Sequence, residues 1–449
     1  MATTYLSRTP STAGNRKTWT YSAWVKLSGL GTQRSILSAG NTTYYTDLRI
    51  DSSDKIIFYI DDSLSYSVTT SQVLRDVSAW YHVVVAFDTT QATAADRVKI
   101  YLNGSQITSF SSTSYPALNY DGRINSTDEH SIGRRNASNN HFFESSLTHV
   151  HFIDGLAYAP TAFGETNAAS GIWTPIASPS VTYGTNGFFL KFASSGALGT
   201  DSSGNSNTFT VNGSGTQTQD APSNVFATLN PLLNSITAFE NGATSLGSTS
   251  DNTMAISTFG ASQGGYYAEM KLGNSPNAGT GYAIRIGIVN LTTSNLSFGG
   301  MGGYAENASP YYGVQNVSGG STNYFKMYNN GTIPSSSDTG VSSTAGDIIM
   351  IAWKNDKLYM GKNGTWFNSG NPASETNPLW TLPSGGTWGV GVMSSLAGAS
   401  DSEFNFGNGF FGTTAVASGN ADGAGYGIFE YAPPTGYYSL CTKNINTYG

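Results

Sequence analysis

Few residues in this chain are equipped for chemistry, and they are scattered. Charged side chains make up 11% of the 449 residues, against roughly a quarter in an ordinary globular protein. Hydrolysis of a glycosidic bond needs two carboxylates about 5–5.5 Å apart for retention. No Glu-x-Asp-x-x-Glu alternation supplies them. The nearest acidic pairs, Asp61 with Asp62 and Asp401 with Glu403, fall where turns or solvent faces are expected. The histidines stand at 82, 130, 141, 149 and 151. On a strand, His149 and His151 share a face, as metal ligands do. With Val150 and Phe152 turned to the core, both imidazoles are expected on the exposed side. A Ser-His-Asp triad is left open. Cys441 is the only cysteine, which removes internal disulfides and thiolate zinc sites; it reads as a small buried hydrophobe near the last strand.

Aromatic residues give a better lead. With Tyr 26 and Trp 8, not every ring fits inside. The loops "NTTYYTD" (41–47), "ALNYDGR" (117–123) and "ENASPYYGVQN" (306–316) set Tyr beside Asn and Asp. Sugar rings stack on aromatic faces while amides and carboxylates hold their hydroxyls, and rigid Tyr also suits protein interfaces. The candidate ligand-binding residues are therefore Tyr44, Tyr45, Asp47, Tyr120, Asp121, Tyr311 and Tyr312. Loop packing, or contact with neighbouring subunits, is the competing explanation. "DSSGN" (201–205) places oxygens at alternate positions but serves equally as an Asx turn. The Asn-x-Ser/Thr triplets at Asn41, Asn125, Asn136 and Asn307 are simplest as chance in so Asn-rich a chain.

Strands must position these residues. "YSAWVKL", "KIIFYI", "WYHVVVAF", "VKIYL", "HVHFI", "GFFLKF", "YYAEMKL", "DIIMIAW" and "TWGVGVM" are apolar runs separated by Gly, Asn, Ser, Asp and Pro, as in an antiparallel sandwich. "WYHVVVAFD" is apolar on both faces and predicts a central strand, whereas the charge-flanked "SDKIIFYIDDS" predicts an edge. "KIYLNGSQI" (99–107) and "KLYMGKNGTWF" (357–367) predict hairpins turning at Asn-Gly, expected at the centre of two sandwiches. Helical candidates are limited to "SQVLRDVSAW" (71–80) and "LNPLLNS" (229–235). Between about 195 and 230 large apolar residues become sparse. The expectation is an all-β chain of two tandem jelly-roll-like sandwiches, at 1–215 and 236–449, joined by a linker over 216–235.

"WYHVVVAFDTTQATAADRVKIYLNGSQI", "TYSAWVKL", "SIGRR" and "FFESSLTHVHFIDGLAYAPTAF" resemble laminin-G-like, concanavalin-type jelly rolls across most of residues 1–165. "GFFLKFASSGALGTDSSGNSNTFTV" (187–211) looks like the segment that opens such domains, so a permuted or extended sandwich is expected, with first and last strands adjacent. That resemblance implies a calcium ion at the sandwich rim, with Asp47, Asp121 and Asp128 in loops that reach it; calcium stays open and the metal ligands unassigned. In the second half, "YYAEMKLG", "RIGIVN", "GDIIMIAWKNDKLYMGKNGTWF" and "SEFNFGNGFF" are similar to a SPRY domain, with a C-terminal extension that includes "APPTGYYSLCTKNI". "YLSRTPSTAGNRKTWTYSAWVK", "FIDGLAYAPTAFGE", "QDAPSNVFATLNPL" and "PPTGYYSLCTKNI" resemble structural proteins of marine tailed bacteriophages. The resemblance implies a virion protein assembled in the bacterial cytoplasm, with other virion proteins and further copies of itself as partners.

Net charge is −7 and no basic stripe occurs, which argues against nucleic acid as a partner. No apolar run approaches the ~18–20 residues of a membrane span, and the N-terminal stretch lacks the apolar core of a secretory signal. The expected function is non-enzymatic: a virion surface protein of tail-fibre or tip type that binds a host-surface receptor, glycan or protein, through its rim loops. The alternatives are a head or tail decoration protein and a polysaccharide depolymerase.

Overall fold

A computed structural model of the chain describes residues 4–168, 170–232, 239–247, 253–273, 284–292, 311–318, 323–329, 338–394 and 401–449. Residues 233–235 of the second helical candidate, and 306–310 of the third tyrosine loop with Asn307, lie outside the described residues. The chain divides into two units, Met1–Gln217 with Ala221–Ser223, and Thr218–Asp220 with Asn224–Gly449. Both are antiparallel β-sandwiches, so the chain is nearly all-β. No helix among the described residues is long and apolar enough to cross a membrane.

Alternation of apolar and polar residues builds the first unit. Its larger sheet has eight strands, in the spatial order Phe110–Ser114, Tyr66–Val73, Lys55–Asp61, Tyr45–Ile50, Arg34–Gly40, Glu129–Ile132, Tyr5–Arg8 and Thr210–Asn212. The facing sheet has six: Phe188–Leu190, Ser146–Asp154, Thr18–Lys26, Tyr81–Asp88, Val98–Leu102 and Ser105–Gln106. The segment after residue 187 completes both sheets. Phe188–Leu190 pairs with Ser146–Asp154, and Thr210–Asn212 pairs with Tyr5–Arg8, so first and last strands are neighbours. Tyr81–Asp88 lies inside its sheet, as its two apolar faces require. Lys55–Asp61 is not the edge its flanking charges suggested; it lies between Tyr45–Ile50 and Tyr66–Val73, and the charges sit at its exits rather than along it.

The second unit repeats the architecture. Glu403–Asn405, Tyr266–Lys271, Ile348–Lys354 and Lys357–Lys362 run side by side in one sheet. The opposing sheet orders Thr253–Ile256, Trp388–Ser394, Ile284–Asn290, Tyr311–Ser318, Asn323–Asn329 and Asp338–Ser342. Between them Tyr266, Trp353, Phe404, Ile286, Val390 and Phe325 are buried. Part of the expected linker is not free chain: Phe226, Ala227 and Leu229 are buried, and Ala227 and Leu229 belong to this core. At the C-terminal end, Tyr438–Ser439 adds a parallel strand beside Tyr266–Lys271, burying Leu440 and Cys441, before the short helix Thr442–Tyr448. The first helical candidate, 71–80, is strand end and turn instead, because Leu74 and Val77 are drawn into the sandwich core.

Both Asn-Gly phrases are hairpins, but they lie at sheet edges, not centres. Asn103 and Gly104 have φ +48° and +84°, and Asn363 and Gly364 have +47° and +87°, the left-handed pair a two-residue turn needs. Gly104 carries a second constraint, since a Cβ there would stand 3.1 Å from the Trp173 ring. Gly31 is a natural control, with φ +76° and nothing within 4 Å of an added Cβ. Left-handed strain alone costs about 1–2 kcal/mol. Urea unfolding is therefore expected to show Gly104→Ala as more destabilising than Gly31→Ala, with the excess reporting the Trp173 contact; equal losses would show that the indole yields freely.

Candidate functional site

Each sheet has one outward face, and in the first unit the two are covered to different extents: that of the eight-stranded sheet only in part, where residues 134–141 lie over Ser35, Ser38 and Asp47. The outer side of the six-stranded sheet is covered by the 155–183 segment, whose Tyr158, Phe163, Val181 and Tyr183 pack over Val84 and Ile153. His82 is buried there, stacked on Trp24 at 4.7 Å. Its Nε2 lies 2.8 Å from the Ser22 hydroxyl, the spacing of a nucleophile and its base. The polarity is wrong for catalysis. Trp173 Nε1–H donates to His82 Nδ1 at 3.0 Å, so Nε2 carries the proton and donates to Ser22 rather than accepting from it. Burial pushes this imidazole down to about 3. The spacing Gly260-Ala261-Ser262-Gln263-Gly264, not singled out above, matches a nucleophile elbow; in the fold it is an exposed bend leading into a strand, not a strand-to-helix turn.

His149 and His151 are not on a solvent face. A bulge shifts the register between Thr148 and His151, His149 takes φ +47° and is half-buried against Phe189, and Phe163 and Tyr183 of the covering segment pack on His151. His151 is buried, stacked on Phe189 at 3.9 Å, with Nδ1 3.0 Å from the Tyr183 hydroxyl. Among the described residues no group of three His, Cys, Asp or Glu side chains is arranged to hold a metal ion. Asp201 in "DSSGN" is the acceptor of an Asx turn, taking the N–H groups of Phe189, Ser203 and Asn207 at 2.8 Å.

The outer side of the eight-stranded sheet is different. Thr46, Leu48 and Ile50 alternate with Tyr45, Asp47 and Arg49; Leu48 and Ile50 are in the core, which turns the second set outward. The register sets Asp47 opposite Tyr59 and Tyr45 opposite Asp61. Four arginines lie over four tyrosine rings among the described residues: Arg49 over Tyr59 at 5.2 Å, Arg135 over Tyr45 at 5.5 Å, Arg123 over Tyr44 at 5.1 Å and Arg134 over Tyr5 at 3.7 Å. Each is within cation–π range.

Three loops build the adjoining rim. Asn41 Oδ1 accepts the N–H groups of Thr43 and Tyr44 at 2.9 and 3.0 Å, fixing the turn that carries Tyr44, a residue left 36% exposed. Arg123 pairs with Asp62 at 3.5 Å and Asp128 at 3.6 Å. The Tyr120 hydroxyl donates to Asp62 at 2.9 Å, and its ring meets Tyr66 edge-on. Partial burial raises Asp62, but the Ser63 N–H, the Tyr120 hydroxyl and Arg123 outweigh it and hold the carboxyl below its ordinary value. Asp121 is exposed beside Lys17 at 4.0 Å.

The structure thus gathers Tyr44, Tyr120 and Asp121 at one rim, with Tyr45 next to it on the sheet face. Asp47 is misplaced by the sequence reading. It is a strand residue, fully buried, bonded to Ser35 Oγ at 2.5 Å and Arg49 at 3.0 Å; burial pushes its carboxyl up. Tyr311 and Tyr312 also leave the site, being 2% and 8% exposed within a strand, where Tyr312 packs edge-on to Trp388. Arg49, Arg123 and Arg135 were missed. Asn-Tyr-Asp-Gly-Arg and the adjacent pair Arg134-Arg135 were the available signals. A groove of about 410 Å³ elsewhere in the unit, lined by Gln72, Leu102, Asn103, Ser105, Gln106 and Ile107 among others, has no aromatic platform.

Residues 2–161 match the family model described as the Concanavalin A-like lectin/glucanases superfamily. Among solved structures, domain 4 of an extracellular arabinanase from Geobacillus stearothermophilus, in complex with arabinotriose, is 18% identical; the likeness covers 34% of this chain and 66% of that one, just under two thirds, with TM-score 0.26. The SPRY domain of human HERC1 is 14% identical over 39% of this chain and 96% of its own, TM-score 0.26. The mouse laminin alpha1 chain, domains LG4-5, is 9% identical over 96% and 93%, TM-score 0.29. A search of curated proteins returns no match.

Glu269, a buried carboxylate not singled out in the sequence, serves the fold of the second unit. It accepts from the N–H groups of Glu430 and Tyr431 at 2.9 and 2.8 Å, the Tyr267 hydroxyl at 2.9 Å and Asn405 Nδ2 at 3.3 Å. Burial nevertheless pushes it up to about 7, against the pull of those donors. A folded-state value above the ordinary 4.5 means the folded chain holds this proton more tightly than the unfolded chain. The stabilisation is complete below about pH 4.5 and is lost as pH rises to about 7. Thermal melts of wild type and Glu269→Gln are expected to show the wild-type advantage shrinking between pH 5 and pH 8, by on the order of 2–3 kcal/mol; a constant difference would show that Glu269 does not titrate there.

Proposed function

We propose that the first unit is a glycan-binding module and that the chain is a surface protein of a bacteriophage virion, of tail-fibre or tip type, that attaches to host glycans. The observation that carries the binding function is the rim where Tyr44 lies exposed over Arg123, between the carboxylates of Asp62 and Asp128. An exposed ring offers a sugar its apolar face, and the ordered charges beside it offer partners for hydroxyl groups. The concanavalin-type match over residues 2–161 supports this function. The virion setting rests on the resemblance of the "YLSRTPSTAGNRKTWTYSAWVK" and "PPTGYYSLCTKNI" segments to phage structural proteins. In that setting other virion proteins and further copies of the chain are its partners, and many copies on one particle raise avidity by about 10²–10⁴. The inverted polarity of Ser22 and His82 favours binding over turnover.

The test is retention of the purified chain on susceptible bacterial cells and on a saccharide panel. Tyr44→Ala is expected to weaken binding about 3–10-fold, the worth of one aromatic contact, with melting temperature unchanged because the ring is surface-exposed. Tyr312→Ala is expected to do the reverse, losing about 3–5 kcal/mol of stability while the folded fraction binds as wild type. Cell binding unaffected by Tyr44→Ala would refute the assigned site. No binding to cells at all would favour a decoration role, and release of reducing ends from host polysaccharide would favour a depolymerase.

A further inference from the structure

The four arginines on tyrosine rings differ in one respect. Arg49 is paired with Asp47, Arg123 with Asp62 and Asp128, and Arg134 with Glu129. Arg135 has no acidic partner among the described residues. Its Nε donates to Asn140 Oδ1 at 3.0 Å and its Nη1 reaches the Tyr45 hydroxyl at 3.5 Å, both neutral groups. A half-buried guanidinium with only neutral partners keeps most of its attraction for an anion.

Two further groups beside it are incomplete. Arg49 Nε and His141 Nδ1 are both buried without a hydrogen-bond partner. His141 lies within the field of Arg135 and Arg49, which add to burial in lowering its imidazole to about 4. The backbone holds it in a strained position, at φ +52°, with its carbonyl accepting the Ser35 N–H at 2.8 Å. Neither nearby carboxylate forms an ion pair with Arg135, although Asp47 feels its charge through space. Asp47 is fully buried and spent on Ser35 and Arg49, and Asp61, across the ladder from Tyr45, bonds with Ser65 Oγ at 3.4 Å. Tyr45 and Tyr59, 5.9 Å apart and tilted, supply an aromatic wall.

We infer that Arg135, with Arg49 and His141 behind it, is a subsite for the acidic group, carboxylate or sulfate, of an anionic saccharide whose ring lies along Tyr45 and Tyr59. This rests on the glycan-binding function proposed for the same face and names the ligand class. The rim around Arg123 is already neutralised by two carboxylates, so it suits the hydroxyl groups of an adjoining sugar.

The test is calorimetric titration of the full chain with three oligosaccharides of equal length: a uronate oligomer, a sulfated galactan oligomer and an uncharged glucan oligomer. At least one acidic oligomer is expected to bind tenfold or more tightly than the uncharged one, and which acidic oligomer does so identifies the anion. Arg135→Gln is expected to remove that preference by weakening acidic binding tenfold or more. Asn140→Asp, which hands Arg135 an internal carboxylate without deleting the guanidinium, is expected to lower acidic binding in the same way even if the first variant folds poorly. Uncharged oligomer binding as tightly as both acidic ones, or both variants keeping the preference, would overturn the subsite while leaving the glycan-binding function intact. No binding of any oligomer would overturn both.

Discussion

The aromatic contact at the centre of the first sandwich decides what every other residue on its strands can do. Trp19 is stacked on Phe87 at 4.8 Å and tilted against Phe58 at 5.8 Å and Phe152 at 6.0 Å. Phe58 comes from the eight-stranded sheet and the other three rings from the six-stranded sheet, so this cluster sets the sheets face to face. Sheets stacked about 10 Å apart need large side chains to fill the gap. Once Phe58 is inside, Tyr59 must be outside, and the same parity throws Tyr45, Asp47 and Arg49 outward when Leu48 and Ile50 go in. A one-residue slip would exchange the aromatic–arginine face for the core.

That parity explains why most of the fold was legible. Alternation marks strands directly, and Asn-Gly marks the two tight turns, where Asn103 and Asn363 take the positive φ that the sequence predicts. What alternation does not encode is which strands lie side by side. The charges flanking Lys55–Asp61 were informative about its ends and not about its neighbours, and the Asn-Gly hairpins landed at edges because pairing order is fixed by the whole sandwich. Tyr311 and Tyr312 show the same limit in the site. Next to Asn and Pro they look like loop residues, yet the register opposite Ile288 and Val289 draws both inside. His149 failed for a local reason, since a bulge breaks the period of two that placed it.

Charge placement follows from the same economy of apolar surface. With so few ionisable groups, several are committed to holding backbone that no ladder satisfies. Glu269 ties the N–H groups of Glu430 and Tyr431, and Asp422 accepts from the Ser439 N–H and from Asn444 Nδ2, so the C-terminal segment is fixed by buried acceptors rather than by apolar area alone. Removing such an acceptor would leave donors unpaired in a dry interior, a loss of about 1–3 kcal/mol for each. These carboxylates are conspicuous by burial, and burial alone does not make them catalytic: each already has its full set of donors and none faces an open cleft.

The aromatic–arginine face works by a different balance. An isolated surface arginine loses side-chain freedom when it binds, whereas one already lying on a tyrosine ring has surrendered much of that freedom in the folded state. The attraction of ring and guanidinium acts at the 3.7–5.5 Å separations observed here, well inside the ~10 Å over which 0.1 M salt screens exposed charges. A face of this kind keeps its geometry at ionic strengths that weaken longer-range steering. Of the four guanidiniums on it, Arg135 alone has no carboxylate within ion-pair distance among the described residues. Single contacts of that strength are modest, and a surface on which many copies engage at once is the arrangement in which they suffice.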